Sequence, residues 1–196
     1  MSLDGYRTLG TTGEAVIRER ASKFHAYAFP CATTEAFKER LGQLVTAHRT
    51  ARHVAYAYRI DGEERISDGG EPNGTAGRPI LIQLCANDLE NVAIVVVRYF
   101  GGTKLGKGGL ARAFSGSAAQ ALAKCEVREE RWMTELRITC PIATLGRINE
   151  LLHARDGTIL HSAFDAEAHL HIRLPRALSG EFLHQASLAG CKLRDP

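Results

Sequence analysis

Long apolar runs are missing from this sequence of 196 residues. The longest, Val92 to Val97, is far shorter than the ~20 residues that cross a bilayer. The N-terminus lacks the basic-then-apolar layout of a secretion signal. The five cysteines are odd in number and form no C-x-x-C pair, unlike the cysteine framework of a small secreted domain. We therefore expect a cytoplasmic protein with reduced thiols and no membrane contact.

Compositional bias and a large charge excess are also absent. Hydrophobic residues make up 44% and charged residues 24% of the chain, which excludes disorder, collagen-like repeats and coiled coil. A net charge of +3 is too small to identify a nucleic-acid-binding protein. The distribution of charge is more informative, because residues 91–125 contain no acid and five basic side chains: Arg98, Lys104, Lys107, Arg112 and Lys124.

The hydrophobic pattern predicts two α+β domains, at residues 1–128 and 129–196. A cluster of charges at Glu126–Arg131 separates them. In the first domain, the β-branched run Val92–Val97 predicts a central strand covered on both faces. The second domain reads β-α-β-β-α-β, which is the ferredoxin-like order.

A glycine-rich loop, Gly101 to Gly109, follows the predicted central strand and leads into a helix. Glycines let backbone N–H groups face outward, and a helix N-terminus carries about half a positive charge, so this place suits an anion. Lys104, Lys107 and Arg112 strengthen that interpretation. The alternative is that the glycines only permit close packing while the cations form a solvated rim.

The same loop has nearly the spacing of a nucleotide-binding P-loop. Gly101, Gly106 and Lys107 match, but Gly108 stands where a Ser or Thr hydroxyl should hold Mg²⁺. We therefore predict no magnesium-dependent nucleotide hydrolysis, no cofactor and no metal.

A second glycine-rich loop, Ser67 to Pro79, carries polar residues of several kinds. They are Asp68, Glu71, Asn73 and Thr75. Carboxylates in a flexible loop could perform acid/base chemistry or hold a hard cation. They could equally bond to their own turns, with Glu71 paired to Arg78. No catalytic residue is identified from the sequence.

Several segments in order resemble the signature of the IMPACT family, and within it the bacterial YigZ-type members. They are the run Ser67–Ala76, the helix entered at Gly77-Arg78-Pro79, the strand and turn from Val96 to Gly102, and the turn Leu105–Leu110. Ser22-Lys23-Phe24 and Arg52-His53 are similar to the family's first strands. The match extends over about residues 14–125 by motif and over the remainder by architecture. Gly70 and Arg52 stand where the family leads us to expect Asp and His, which argues against a shared metal or acid/base site.

The resemblance implies a first domain like domain 2 of ribosomal protein S5 and a ferredoxin-like second domain similar to the C-terminal domain of elongation factor G. Both likenesses point to RNA and the ribosome, and eukaryotic relatives regulate translation. We therefore predict a protein that binds RNA or the ribosome and modulates translation without catalysis. The predicted anion-binding residues are Arg78, Arg98, Lys104, Lys107 and Arg112.

Two other functions stay open. The first is an enzyme acting on a phosphorylated small molecule or nucleotide, with Asp68 or Glu71 as acid or base. The second is a protein-interaction module with an unidentified partner.

Histidines are concentrated on a predicted hairpin of the second domain. Alternation along the strands predicts that five apolar residues face the helices: Leu160, Phe164, Leu170, Ile172 and Leu174. The opposite, open face would then hold His161, His169, His171, Arg173 and Arg137. We interpret it as a solvated basic face, with a metal at the histidines as the less favoured alternative. An RNA-reading sheet would need aromatic side chains there, and the pattern places none.

Overall fold

Residues 4–194, which a computed structural model describes, divide into two units of mixed helix and sheet. Residues 7–129 form the first domain, and residues 130–194 together with residues 4–6 form the second. The predicted α+β class is confirmed. None of the helices in this part of the chain is both long and apolar enough to cross a membrane.

The first domain is built on a five-stranded antiparallel sheet. The elements in chain order are β1 (Tyr6–Leu9), β2 (Gly13–Glu19), β3 (Ser22–Pro30), α1 (Thr34–Ala47), β4 (His53–Ile60), β5 (Glu63–Ser67), α2 (Gly77–Ala86), β6 (Val92–Tyr99), α3 (Gly106–Leu122) and β7 (Val127–Glu130). The spatial order of the large sheet is β2-β3-β6-β4-β5, and β1 pairs with β7 separately. The charged segment predicted as a boundary thus contains a short strand.

Strand β6 is the centre of the large sheet, as the sequence predicts. Every residue from Val92 to Arg98 is buried, because apolar clusters cover both faces. Helices α2 and α3 supply side chains such as Leu84 and Phe114 to one cluster. Helix α1 supplies Phe37 and Leu44 to the other, and the Thr33 hydroxyl caps α1 by accepting the backbone N–H of Ala36 at 3.1 Å.

Helix α3 begins earlier than the glycine content predicts. The sequence favours a loop through Gly109, whereas the helix starts at Gly106. Gly106 has φ +70, a backbone conformation that glycine adopts without steric cost. As a result, Lys107 lies in the first turn of α3 rather than in the loop.

The second domain is a ferredoxin-like fold, as predicted. Its elements are β8 (Met133–Cys140), α4 (Leu145–His153), β9 (Thr158–Phe164), β10 (Ala168–Pro175), α5 (Arg176–Leu188) and β11 (Lys192–Arg194). The sheet order β11-β8-β10-β9 places the first and third strands of this domain in the middle.

The predicted facing of the second sheet agrees with burial on β10, and His161 of β9 lies on the open face as predicted, but the apolar residues of β9 are not buried. Leu170, Ile172 and Leu174 are buried in the core, but Leu160 and Phe164 are exposed. Strand β9 lies at the edge of the sheet, and every one of its residues is exposed. Strand alternation sets which face a side chain takes, but only a covering layer buries it.

Candidate nucleic-acid interface

The basic loop of the first domain, which we define as residues 100–107, joins β6 to α3. Lys104 and Lys107 are exposed, as is Arg112 one turn further along the helix. Within residues 4–194, none of these three side chains forms an ion pair or a side-chain hydrogen bond. The first turn of α3 contains no acidic residue, and no side chain caps the helix. Free backbone N–H groups and three unneutralised cations therefore occupy the same end of one helix.

Arg98 does not belong to this exposed set. It is 4% exposed, and its Nη1 donates to both carboxylate oxygens of Glu71 at 2.8 and 3.0 Å. Its Nη2 donates to the Ser22 hydroxyl at 3.2 Å, and the guanidinium also lies over the rings of Phe24 and Phe100. The structure thus places Arg98 in a buried ion pair, where it cannot present its charge to a polyanion.

Arg78 is exposed in the first turn of α2 and does not pair with Glu71. Arg78 is the nearer arginine to Glu71 along the chain, but the Glu71 carboxylate points inward and pairs with Arg98. In the described part of the chain, Arg78 forms no ion pair with an acidic side chain, so its charge is exposed to solvent.

Asp68 holds its own loop together. One carboxylate oxygen accepts the N–H groups of Ala76 and Gly77, and the other accepts that of Gly74, each at 2.9 Å. These bonds satisfy donors at the start of α2, which has no side-chain cap at Ala76. Burial acts to raise the pKa of Asp68, but the three N–H donors outweigh it and hold the pKa below its usual range.

The remaining loop candidates are divided between the interior and the surface. Thr75 is buried, and its hydroxyl donates to the Pro72 carbonyl at 2.6 Å. Asn73 is exposed. Asp68, Thr75 and Glu71 thus all take part in internal hydrogen bonds of the protein.

Replacing Asp68 by Ala should lower the free energy of unfolding by about 1–3 kcal/mol, because three N–H donors lose their acceptor. The pH dependence follows from the depressed pKa. The ionised Asp68 carboxylate stabilises the fold fully above the pKa of this group in the unfolded chain, about 3.9. The stabilisation is lost as pH falls through the lower pKa that Asp68 has in the folded protein. Urea unfolding of the wild type, Asp68→Ala and Asp68→Asn at neutral and acidic pH measures both effects.

The control for that experiment is Asp61→Asn. Asp61 is exposed in the β4–β5 turn and has a positive φ, which Asn tolerates. The assignment of Asp68 as a cap fails if the two Asn variants unfold alike at neutral pH. It also fails if the stability difference between the wild type and Asp68→Asn becomes larger at acidic pH.

His53 is a neighbour of the buried pair that sequence reasoning missed as a site residue. Its Nδ1 lies 3.3 Å from the Gly69 carbonyl and 3.7 Å from Glu71 Oε1, and its side chain is 24% exposed. His53 therefore lies between the solvent and the otherwise buried Glu71–Arg98 ion pair. The only sequence signal for it is its place in the Arg52-His53 pair.

A cluster of histidines and tyrosines on the α1 side of the sheet was also not predicted. His48 Nε2 lies 2.7 Å from the Tyr27 hydroxyl, and its Nδ1 lies 2.7 Å from that of Tyr99. A neutral imidazole has one N–H, so one hydroxyl donates and the other accepts. Burial and the nearby Lys23 lower the pKa of His48 and of His25 beside it, which favours their neutral forms.

With the geometry established, comparison with known proteins identifies the family. The Impact N-terminal domain model matches residues 20–122. The chain is 46% identical over 136 residues to the IMPACT family member in pol 5'region of Thermus thermophilus, covering 68% of this chain and 73% of that protein. It is 37% identical over 153 residues to IMPACT family member YigZ of Escherichia coli K12, covering 76% of this chain and 75% of the relative.

This chain belongs to the IMPACT family. The resemblance to the family signature is thereby confirmed, including its similarity to YigZ. A solved structure described as that of an hypothetical protein superposes with a TM-score of 0.77 at 31% identity and covers 98% of both chains. This chain therefore shares its fold with that protein along almost the entire length of both.

A more distant solved structure is that of the two-domain translational regulator Yih1. It is 28% identical, covers 59% of this chain and 48% of its own, and has a TM-score of 0.40. At that score the superposition supports no inference about this chain.

Proposed function

We propose that this IMPACT family member is a cytoplasmic protein that binds the phosphate backbone of RNA, free or in the ribosome, and thereby modulates translation. The observation that carries the proposal is the basic loop with the first turn of α3. There, Lys104, Lys107 and Arg112 are exposed and lack acidic partners around an uncapped helix N-terminus. Phosphate oxygens are the acceptors that such a set of donors fits.

The arrangement supports recognition of the backbone rather than of bases. Lysine ammonium groups on flexible stems act as mobile point charges, and backbone N–H groups at a helix end carry no information about sequence. Affinity should therefore depend steeply on salt and weakly on RNA sequence. The role in translation is what the family resemblance implies.

The internal hydrogen bonds of Asp68 and Glu71 argue against the alternative of an enzyme acting on a phosphorylated small molecule. Asp68 accepts three backbone donors, and Glu71 is enclosed with Arg98. The loop also keeps Gly108 where a P-loop needs a hydroxyl. No observation favours this alternative over backbone binding. The protein-interaction alternative is decided by the experiment below.

Fluorescence anisotropy of labelled single-stranded RNAs of different sequence tests the proposal. We expect log affinity to fall linearly with log salt between about 50 and about 200 mM, with similar slopes for all sequences. In a parallel experiment, ATP or GTP is added at the same phosphate concentration as the RNA. We expect that neither nucleotide displaces the RNA and that neither is hydrolysed. Tight, salt-insensitive mononucleotide binding would favour the enzyme, and the absence of any RNA binding at low salt would favour a protein partner.

A further inference from the structure

We infer that the open face of the second-domain sheet carries a separate binding site for a phosphate group. A cavity of about 370 Å³ opens on this face. Its lining includes Arg137, His161, Ala163, His169, His171 and Arg194. The site is independent of the basic loop in the first domain, and it goes beyond the proposed function.

The strand register produces the site by aligning basic residues across the sheet. Arg194 on β11 pairs with Arg137 on β8, Arg137 pairs with His171 on β10, and His171 pairs with His161 on β9. Four consecutive strands thus contribute one basic or imidazole side chain each to a single row. Adjacent strands lie about 4.8 Å apart, so the row extends over about 14 Å.

The neighbouring row explains why this face is concave. Two residues along each strand, exposed Lys192 on β11 pairs with Thr139, Thr139 pairs with His169, and His169 pairs with Ala163. The side chains of Thr139 and Ala163 are short, so they leave space beside the long side chains of the basic row. The β9–β10 register also shifts directly after His171, and such a bulge re-aims the side chains around it.

Two of the cations in the row are free to bind a ligand. Arg137 and Arg194 are exposed, and within residues 4–194 neither has an ion pair or a hydrogen bond through its side chain. A guanidinium presents paired N–H donors in a planar fork that matches phosphate oxygens. Two unpaired guanidiniums on adjacent strands are therefore a suitable pair of phosphate ligands.

The acids on this face already have partners. His171 Nε2 lies 2.9 Å from Glu135, and His169 Nε2 lies 2.9 Å from Asp165. The second nitrogen of His169 lies 3.1 Å from the Thr139 hydroxyl, which fixes that ring. The carboxylates therefore orient the histidines and leave Arg137 and Arg194 without neutralising partners.

The chemistry of the face favours an anionic phosphate over an apolar ligand. The described side chains on its two rows are basic, imidazole, hydroxyl or methyl. The cavity volume lies within the range of about 300–1,000 Å³ typical of small-ligand pockets. The phosphate could belong to a free phosphorylated small molecule or to a nucleic-acid backbone.

Titration of the full chain with inorganic pyrophosphate, followed by NMR of the histidine rings, tests the site. We expect saturable shifts of the His161 and His171 signals and calorimetric binding. In Arg137→Ala/Arg194→Ala, the dissociation constant should rise at least ~10-fold, since both guanidiniums that would donate to the phosphate are removed. Arg49→Ala/Arg147→Ala removes two exposed cations elsewhere and should bind like the wild type.

An RNA arm distinguishes the two sources of phosphate. If the natural ligand is a nucleic-acid backbone, Arg137→Ala/Arg194→Ala also reduces the salt slope of RNA binding by about one to two. If it is a free phosphorylated molecule, RNA binding is unchanged while pyrophosphate binding is lost. Either result supports the site.

The inference is overturned if pyrophosphate leaves the histidine signals unmoved, or if it binds equally to both double variants. Failure of this site can be distinguished from failure of the proposed function, because replacing Lys104, Lys107 and Arg112 by Ala should leave the pyrophosphate-induced histidine shifts intact.

Discussion

Replacing Glu71 by Gln should lower the free energy of unfolding by about 3–5 kcal/mol, because Arg98 would remain charged and buried without its counterion. The side chains of this pair are only 2% and 5% exposed, so water cannot replace the missing carboxylate. The decrease is a large part of the 5–15 kcal/mol that stabilises a typical domain. Urea denaturation followed by circular dichroism measures it.

Glu63→Gln is the matched control for that substitution. Glu63 pairs with Arg65 at 2.8 Å in the same domain, but both side chains are at least half exposed, and such pairs contribute little to stability. A double variant, Glu71→Leu/Arg98→Met, removes both charges and should be more stable than Glu71→Gln. If Glu71→Gln unfolds no earlier than Glu63→Gln, the pair does not stabilise the loop.

Replacing Lys104, Lys107 and Arg112 together by Ala should reduce the slope of log affinity for RNA against log salt by about two to three units, approaching one for each phosphate that is no longer neutralised. At about 0.1 M salt, a slope difference of two corresponds to roughly 100-fold weaker binding, if the two lines meet near 1 M. Anisotropy titrations at several salt concentrations measure both quantities.

The fold of this triple variant should survive, since the three side chains are exposed and such substitutions usually change stability by less than ~0.5 kcal/mol. Circular dichroism checks that condition. The control is Arg18→Ala/Lys38→Ala/Arg49→Ala, which removes the same charge from other exposed positions of the first domain. A folded loop variant with the wild-type slope would refute the interface and advance the protein-interaction alternative.

Much of the candidate interface could be predicted because its determinants are local. The run Val92–Val97 predicts the central strand, and the glycines with Lys104 and Lys107 directly after it predict a basic turn at a helix start. Each of these features depends on residues within one short segment. The exposure of Lys104, Lys107 and Arg112 follows from the same pattern, because they alternate with glycines or lie off the apolar stripe of α3.

The role of Arg98 could not be predicted in this way. The sequence shows a cation at the end of a strand, next to other cations, and that context favours an exposed ligand for anions. Its partner Glu71 is 27 positions away in another loop, and Arg78 is a closer cation to that acid along the chain. Only the packing of the loop against β6 decides which arginine the acid meets.

The sequence by itself determined the family, the α+β class, the ferredoxin-like order of the second domain and the position of the basic loop, since periodicity, composition and signature motifs are properties of the chain. The tertiary structure alone decided which charges are buried and which strands lie side by side. It enclosed Arg98 with Glu71, and it aligned Arg194, Arg137, His171 and His161 across four strands. Burial and cross-strand register depend on contacts between residues far apart in the chain, so no local pattern specifies them.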